Sequence, residues 1–185
     1  MAFVALVAVA GLLTMAEPAV PLPCSVVGIR HNPEGYFWPA DSIRQFVATS
    51  TLIVRAKVEG DTSWTWRDSP ERIGQPAVRF RIVEVLQGSA TGSTLVLPGV
   101  LVPDDDFNTG AVPYRIVRRA GQSGDCFARK YKPGAEYLLL LQRGGIGWTP
   151  HWKPLAPMNE QLRPADDPWL AWVRAAIPKP PGRAP

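Results

Sequence analysis

Few residues in this chain could carry chemistry, and their spacing limits what kind. The two histidines, His31 and His151, are far apart. Neither has a second ligand at the spacing a zinc site requires, so no metal centre is expected. Asp104, Asp106 and Asn108 alternate as the first ligands of a calcium loop do. The glycine falls one place late, at Gly110, and the twelfth position is Arg115 rather than Glu. The segment therefore reads as a solvated acidic loop. Ser123 sits between glycines in a setting similar to a hydrolase nucleophile. A serine nucleophile needs a histidine base and an acid brought to it in space, and this segment reads better as a turn before Cys126. Gly144, Gly145 and Gly147 lack the lysine and following helix of a phosphate-binding loop. The expectation is a protein that binds rather than catalyses, with no metal and no cofactor.

Tryptophan supplies the candidate binding residues. The chain has seven, which is many for 185 residues. Trp169 and Trp172 fall on one face of a predicted helix and read as core. Trp64, Trp66, Trp148 and Trp152 lie in or near predicted loops, where aromatic rings can stack on sugars, bases or partner side chains. Their other reading is a lid over the open end of a β-barrel. Net charge is +4, but Lys and Arg are scattered rather than clustered, so nucleic acid is not the expected partner.

The elements that must position these residues are mostly strands. Pro (20) and Gly (16) are abundant, which favours turns over long helices. Ser42 and Gln45 fit a capping box, predicting a short helix that carries Ile43, Phe46 and Val47 and ends near Thr49. Leu52, Val54, Ala56 and Val58 then share one face of a first strand, with a polar loop over residues 60–75. A second strand begins near Val78, and its apolar phase changes between Ile82 and Val83, the signature of a bulge or bend. Residues 87–93 read as a hairpin loop. Residues 94–102 form a third strand broken at Pro98 and Gly99, with a short strand possible at residues 114–118. Residues 136–142 are apolar on both faces and predict a central strand. Residues 146–155 predict a last, proline-interrupted edge strand. Asp167 and Pro168 are an N-cap and N1 pair. The amphipathic helix that they start carries Trp169, Trp172, Val173, Ala176 and Ile177, and Pro178 ends it.

Compartment follows from the first residues. Residues 2–16 are uncharged and shorter than the run of about 20 that spans a membrane. Thr14 and Ala16 suit the −3 and −1 positions of a signal-peptidase site, although no Lys or Arg precedes Arg30. The expected organisation is a signal peptide at 1–16, a proline-rich lead-in at 17–39, one folded domain at 40–177 and a disordered tail at 178–185. The protein is then periplasmic or secreted, with no stable membrane span after cleavage. In that setting the lone pair Cys24 and Cys126 predicts one disulfide. Two buried free thiols are the reading if the chain is not exported.

These pieces resemble the netrin-like, or tissue-inhibitor-of-metalloproteinases-like, domain. The residues that carry the resemblance are Ala40 and Asp41 before a strand ending at Arg55–Val58, the run from Val78 to a leucine–glutamine–glycine turn at Gly88, and Cys126 followed by residues 134–140. The resemblance implies a mainly β fold, a five-stranded OB-like barrel with a short N-terminal helix and a C-terminal amphipathic helix, in a secreted protein. Inhibitory members chelate the protease zinc through an N-terminal Cys-X-Cys. Here Ser25 and Val26 follow Cys24, so that activity is not implied. The functional expectation is an exported, non-catalytic binding module whose partner is a protein or a cell-envelope component. The alternatives are a protease inhibitor acting through barrel-edge loops and a hydrolase.

Overall fold

A computed structural model describes residues 37–64, 74–144, 147–151, 153–164 and 166–178. The elements in chain order are α1 (Ala40–Thr49), β1 (Leu52–Ser63), β2 (Pro76–Gln87), β3 (Thr94–Pro98), β4 (Val100–Leu101), β5 (Lys130–Tyr131), β6 (Glu136–Gly144), β7 (Gly147–Pro150), β8 (Asn159–Gln161) and α2 (Pro168–Ala176). Mainly β architecture with few helices is as the alternation implies. The main sheet is antiparallel in the order β3-β2-β1-β6-β7, and β8 pairs with the stretch of β6 that β7 leaves free. It curls into a half-barrel, and β3 approaches β7 from the other end of the sheet.

Curling requires bulges, because each extra residue bends its strand and increases the local twist. The β1–β2 ladder has three register shifts. One skips Val83, where Arg55 faces Glu84 and Ala56 faces Ile82. This is the phase change legible in the sequence. Its consequence is that Val83 and Val85 face outward and are exposed, so the two apolar phases are not two buried faces. The β2–β3 turn uses Gly88 at φ +81°, where a Cβ would stand 2.1 Å from the Thr51 carbonyl oxygen.

Two cores lie on opposite faces of β1 and β6. Inside the curl, Leu52, Val54, Val78, Phe80, Tyr131 and Leu139 pack together. Outside it, Ile53, Leu138 and Leu140 pack against Ile43 and Val47 of α1 and Trp169 and Val173 of α2. Residues 137–141 of β6 are therefore buried on both faces, which explains an uninterrupted apolar run.

Several boundaries differ from expectation. The predicted capping box is not formed. α1 starts three residues earlier, behind Pro39 as N-cap, with no side-chain cap, and Ser42 lies within its first turn. Pro39 fixes its own φ near the helical value and so supplies the entry. β1 continues through Ser63 because pairing with residues 76–79 supports a polar hairpin beyond the core. Residues 114–118 form no strand. α2 begins as predicted, with the Asp167 carboxylate accepting from the Trp169 and Leu170 amides. The signal segment, most of the lead-in and residues 179–185 of the predicted tail lie outside the described residues. Among those described, no helix is long and apolar enough to cross a membrane.

Candidate functional site

β8 is the unexpected element. Asn159, Glu160 and Gln161 are all buried, although each is polar. A buried polar strand is tolerated only where every group finds a partner, and the partners come from the long segment between β4 and β5. Glu160 is 0 % exposed. Its carboxylate accepts from the Arg118 amide at 3.1 Å and from Asn108 Nδ2 at 3.1 Å. Burial pushes Glu160 up to about 7, against the opposing pull of the Arg118 charge and of these two donors. Asn159 Nδ2 donates to the Phe127 and Ala128 carbonyls and to the Tyr131 hydroxyl.

Arg118 is the centre of this arrangement and is also 0 % exposed. Its Nη1 bonds Asp106 Oδ2 at 2.6 Å, its Nε the Asn159 carbonyl at 3.0 Å and its Nη2 the Ala128 carbonyl at 2.5 Å. The guanidinium lies over the rings of Tyr131 and Tyr137, at 5.5 and 5.2 Å. Planarity and a fork of five donors let a single arginine do this, which a lysine could not. Burial drives the Tyr131 phenol up to about 12 and raises Tyr137.

The network carries one wall of a cleft of about 640 Å³. Gln161 connects the two. Its Oε1 accepts from the Asp106 amide at 2.8 Å, and its Nε2 donates to Asp105 Oδ1 at 2.5 Å. Asp105 is paired with Lys132 at 2.6 Å, and that hydrogen bond, ahead of all else, holds its carboxyl below the usual range. Across the cleft Arg55 of β1 meets Glu136 of β6 at 2.5 Å, an interaction that raises the arginine. Arg163 donates to the Asn108 carbonyl and the Tyr114 hydroxyl, and its guanidinium lies 5.2 Å from the centre of the Phe107 ring. Leu162 and Leu170 supply apolar wall, and Asp167, the α2 cap, also accepts from the Arg163 amide.

The acidic segment anticipated as a solvated loop is exposed at Asp104 and Asp105, and it is also a fastening. Asp105 holds Lys132 and Gln161, Asp106 holds Arg118 and the Ala120 amide, and Asn108 holds Glu160 and the Ile116 carbonyl. These side chains diverge toward different partners instead of converging on one cation. Ser123 lies in a wide helical turn, Gly121–Asp125, and its hydroxyl donates to the Ala120 carbonyl. Asp125 is bonded to the Arg129 guanidinium. His151 is buried against Phe46, its Nε2 3.5 Å from Thr49 Oγ1. Burial, then the Lys153 charge, holds it below the ordinary imidazole value.

Of the tryptophans expected to bind ligand, Trp64 is buried where the β1–β2 hairpin ends, its amide and carbonyl bonded to Gln75 and Gly74. Trp148 is half-buried on β7, packed on the inner core with Arg143 over its ring. Neither lines the cleft. Trp66 and Trp152 lie outside the described residues, as does Cys24. Cys126 is buried beside Val117, Ala128 and Leu155, and among the described residues no cysteine is free. Sequence reasoning missed the cleft residues because they come from short segments far apart in the chain, and the charged ones among them carry no periodic signal. No protein-family model matches the chain, and no curated protein matches it.

Proposed function

We propose that this protein is an exported, non-catalytic binding module of the netrin-like kind and that the cleft between residues 105–107, 132–136, 161–164 and 166–170 is its binding site. The observation that carries the reading is the cleft's support. Asp106, between the lining residues Asp105 and Phe107, and Glu160, next to the lining residue Gln161, are both bonded to the fully buried Arg118. Groups held by such a shell keep their geometry without a ligand, which lowers the cost of binding. The finer fold assignment, a five-stranded OB-like barrel, belongs to the same proposal. It is supported by the parallel pairing of β4 with β5, because β4 continues β3 and β5 leads by a short turn into β6.

Lys132 provides the test. The purified protein is incubated with periplasmic extract divided into protein, glycan and small-molecule fractions, and lysines are then acetylated and mapped by mass spectrometry. At least one fraction should protect Lys132 several-fold while leaving the exposed Lys130 unchanged. Equal reactivity of Lys132 with and without every fraction would refute the cleft as a binding site.

A further inference from the structure

We infer that the cleft takes an uncharged polyhydroxyl ligand, a neutral saccharide; the inference rests on the reading of the cleft as a binding site. The argument starts from how its charges are arranged. Three cations and four carboxylates line the cleft, so its formal charge is close to balanced and it has no strong field to attract an ion of either sign. Four of these seven charges are already paired at short range, Lys132 with Asp105 and Arg55 with Glu136, and the third cation, Arg163, is held by the neutral Asn108 carbonyl and Tyr114 hydroxyl. An anionic ligand would have to compete with Asp105 and Glu136 for their cations, and a cationic ligand with Lys132 and Arg55 for their carboxylates.

Pairing leaves hydrogen-bonding capacity in place. Lys132 carries three N–H donors and gives one to Asp105, and the Gln161 amide gives one of its two to the same carboxylate. Arg163 carries five donors, and the Asn108 carbonyl and the Tyr114 hydroxyl take two of them. The two Asp105 oxygens each accept one bond and retain a lone pair beside these donors. The wall therefore offers donors and acceptors side by side in fixed positions. A hydroxyl group is both donor and acceptor, and vicinal hydroxyls place two such groups within reach of one planar fork. A peptide backbone alternates its donors and acceptors along an extended line and matches such a cluster less well. Leu162, Leu170 and Ala135 provide apolar surface for the C–H face of a sugar ring, and the volume lies within the usual range of small-ligand sites, about 300–1,000 Å³.

The test uses the full-length protein and a panel of neutral, uronate-containing and sulfated oligosaccharides, with affinities from calorimetry at 50 and 500 mM NaCl. A neutral oligosaccharide should bind, its affinity should change less than twofold with salt, and it should shift the Gln161 side-chain amide resonances in NMR spectra. The double variant Asp105→Asn with Lys132→Gln keeps size and net charge but replaces the ion pair. It should bind that saccharide at least tenfold more weakly at an unchanged melting temperature. If the variant unfolds, the Gln161 shifts in the native protein decide. Binding confined to charged glycans, or an affinity that falls tenfold between the two salt concentrations, would overturn the inference. Protection of Lys132 by a protein fraction but by no glycan would overturn it while leaving the cleft as a binding site. No protection by any fraction removes both.

Discussion

Glu160 shows how two effects compete at a single side chain. Two donors favour its ionised form, while complete burial opposes charge, and the result is a proton affinity well above that of an exposed glutamate. Because the folded protein holds this proton more tightly than the unfolded chain, the associated stability is fully present below about pH 4.5 and is lost as pH rises through about 7. The amplitude is on the order of 3 kcal/mol, since one pKa unit corresponds to about 1.4 kcal/mol. Glu160→Gln removes this titration. Urea unfolding from pH 4.5 to 8 should therefore show the wild type losing stability relative to the variant as pH rises, and parallel curves would exclude the effect. Arg118 is the more severe site. Arg118→Ala takes the ion-pair partner from the partly exposed Asp106 and the neighbouring charge from the buried Glu160, and should cost about 3–5 kcal/mol, the usual penalty for breaking a buried pair. Arg118→Lys should recover only part of this, because an ammonium cannot reach Asp106 and two carbonyls in one plane. None of these roles was visible in the chain. A glutamate between Asn159 and Gln161 reads as loop, and a single arginine carries no periodic signal.

Elements with a hydrophobic period were legible, and those held by polar contacts were not. β6 and α2 follow from apolar pattern and cap chemistry, and their boundaries fall within two residues of expectation. β8 has neither, since its burial depends on loop partners distant in sequence. α2 has two kinds of attachment that mutation can separate. Trp169 is fully buried and stacks on Tyr114, whereas Trp172 is half-buried and stacks on Trp169 with Arg44 over its ring. Trp169→Ala should cost about 3–5 kcal/mol as a large-to-small core change, and Trp172→Ala clearly less. Asp167→Ala should cost about 1–2 kcal/mol through loss of the helix cap, and the Arg163 amide loses its acceptor as well. Urea denaturation of the three variants gives the ranking. A larger effect at Trp172 than at Trp169 would mean that the helix is anchored by the wrong face.

At the scale of the whole molecule, the main sheet and its two helices share two apolar cores, while the segment between β4 and β5 is tied to β8 by the hydrogen bonds of Arg118, Asn159 and Glu160. Cys126 lies within that segment. It has φ +55° just after the wide turn, its amide donates to the Gly121 carbonyl, and its carbonyl accepts from the Leu155 amide. We propose that it pairs with Cys24, which would fasten the N-terminal lead-in to the segment that supports the cleft. Such a bridge closes a loop of about 100 residues, worth about 4–5 kcal/mol if the gain comes from restricting the unfolded chain. The protein purified under oxidising conditions should therefore gain about two daltons on reduction, since one bridge takes up two hydrogens. Cys24→Ser should lower the melting temperature of the oxidised protein to that of the reduced one. The two single-cysteine variants should be equally destabilised, because either substitution removes the same bond. Quantitative labelling of two thiols before reduction would dismiss the bridge. A variant at Cys126 much weaker than one at Cys24 would assign the stability to local packing against Val117, Ala128 and Leu155 instead.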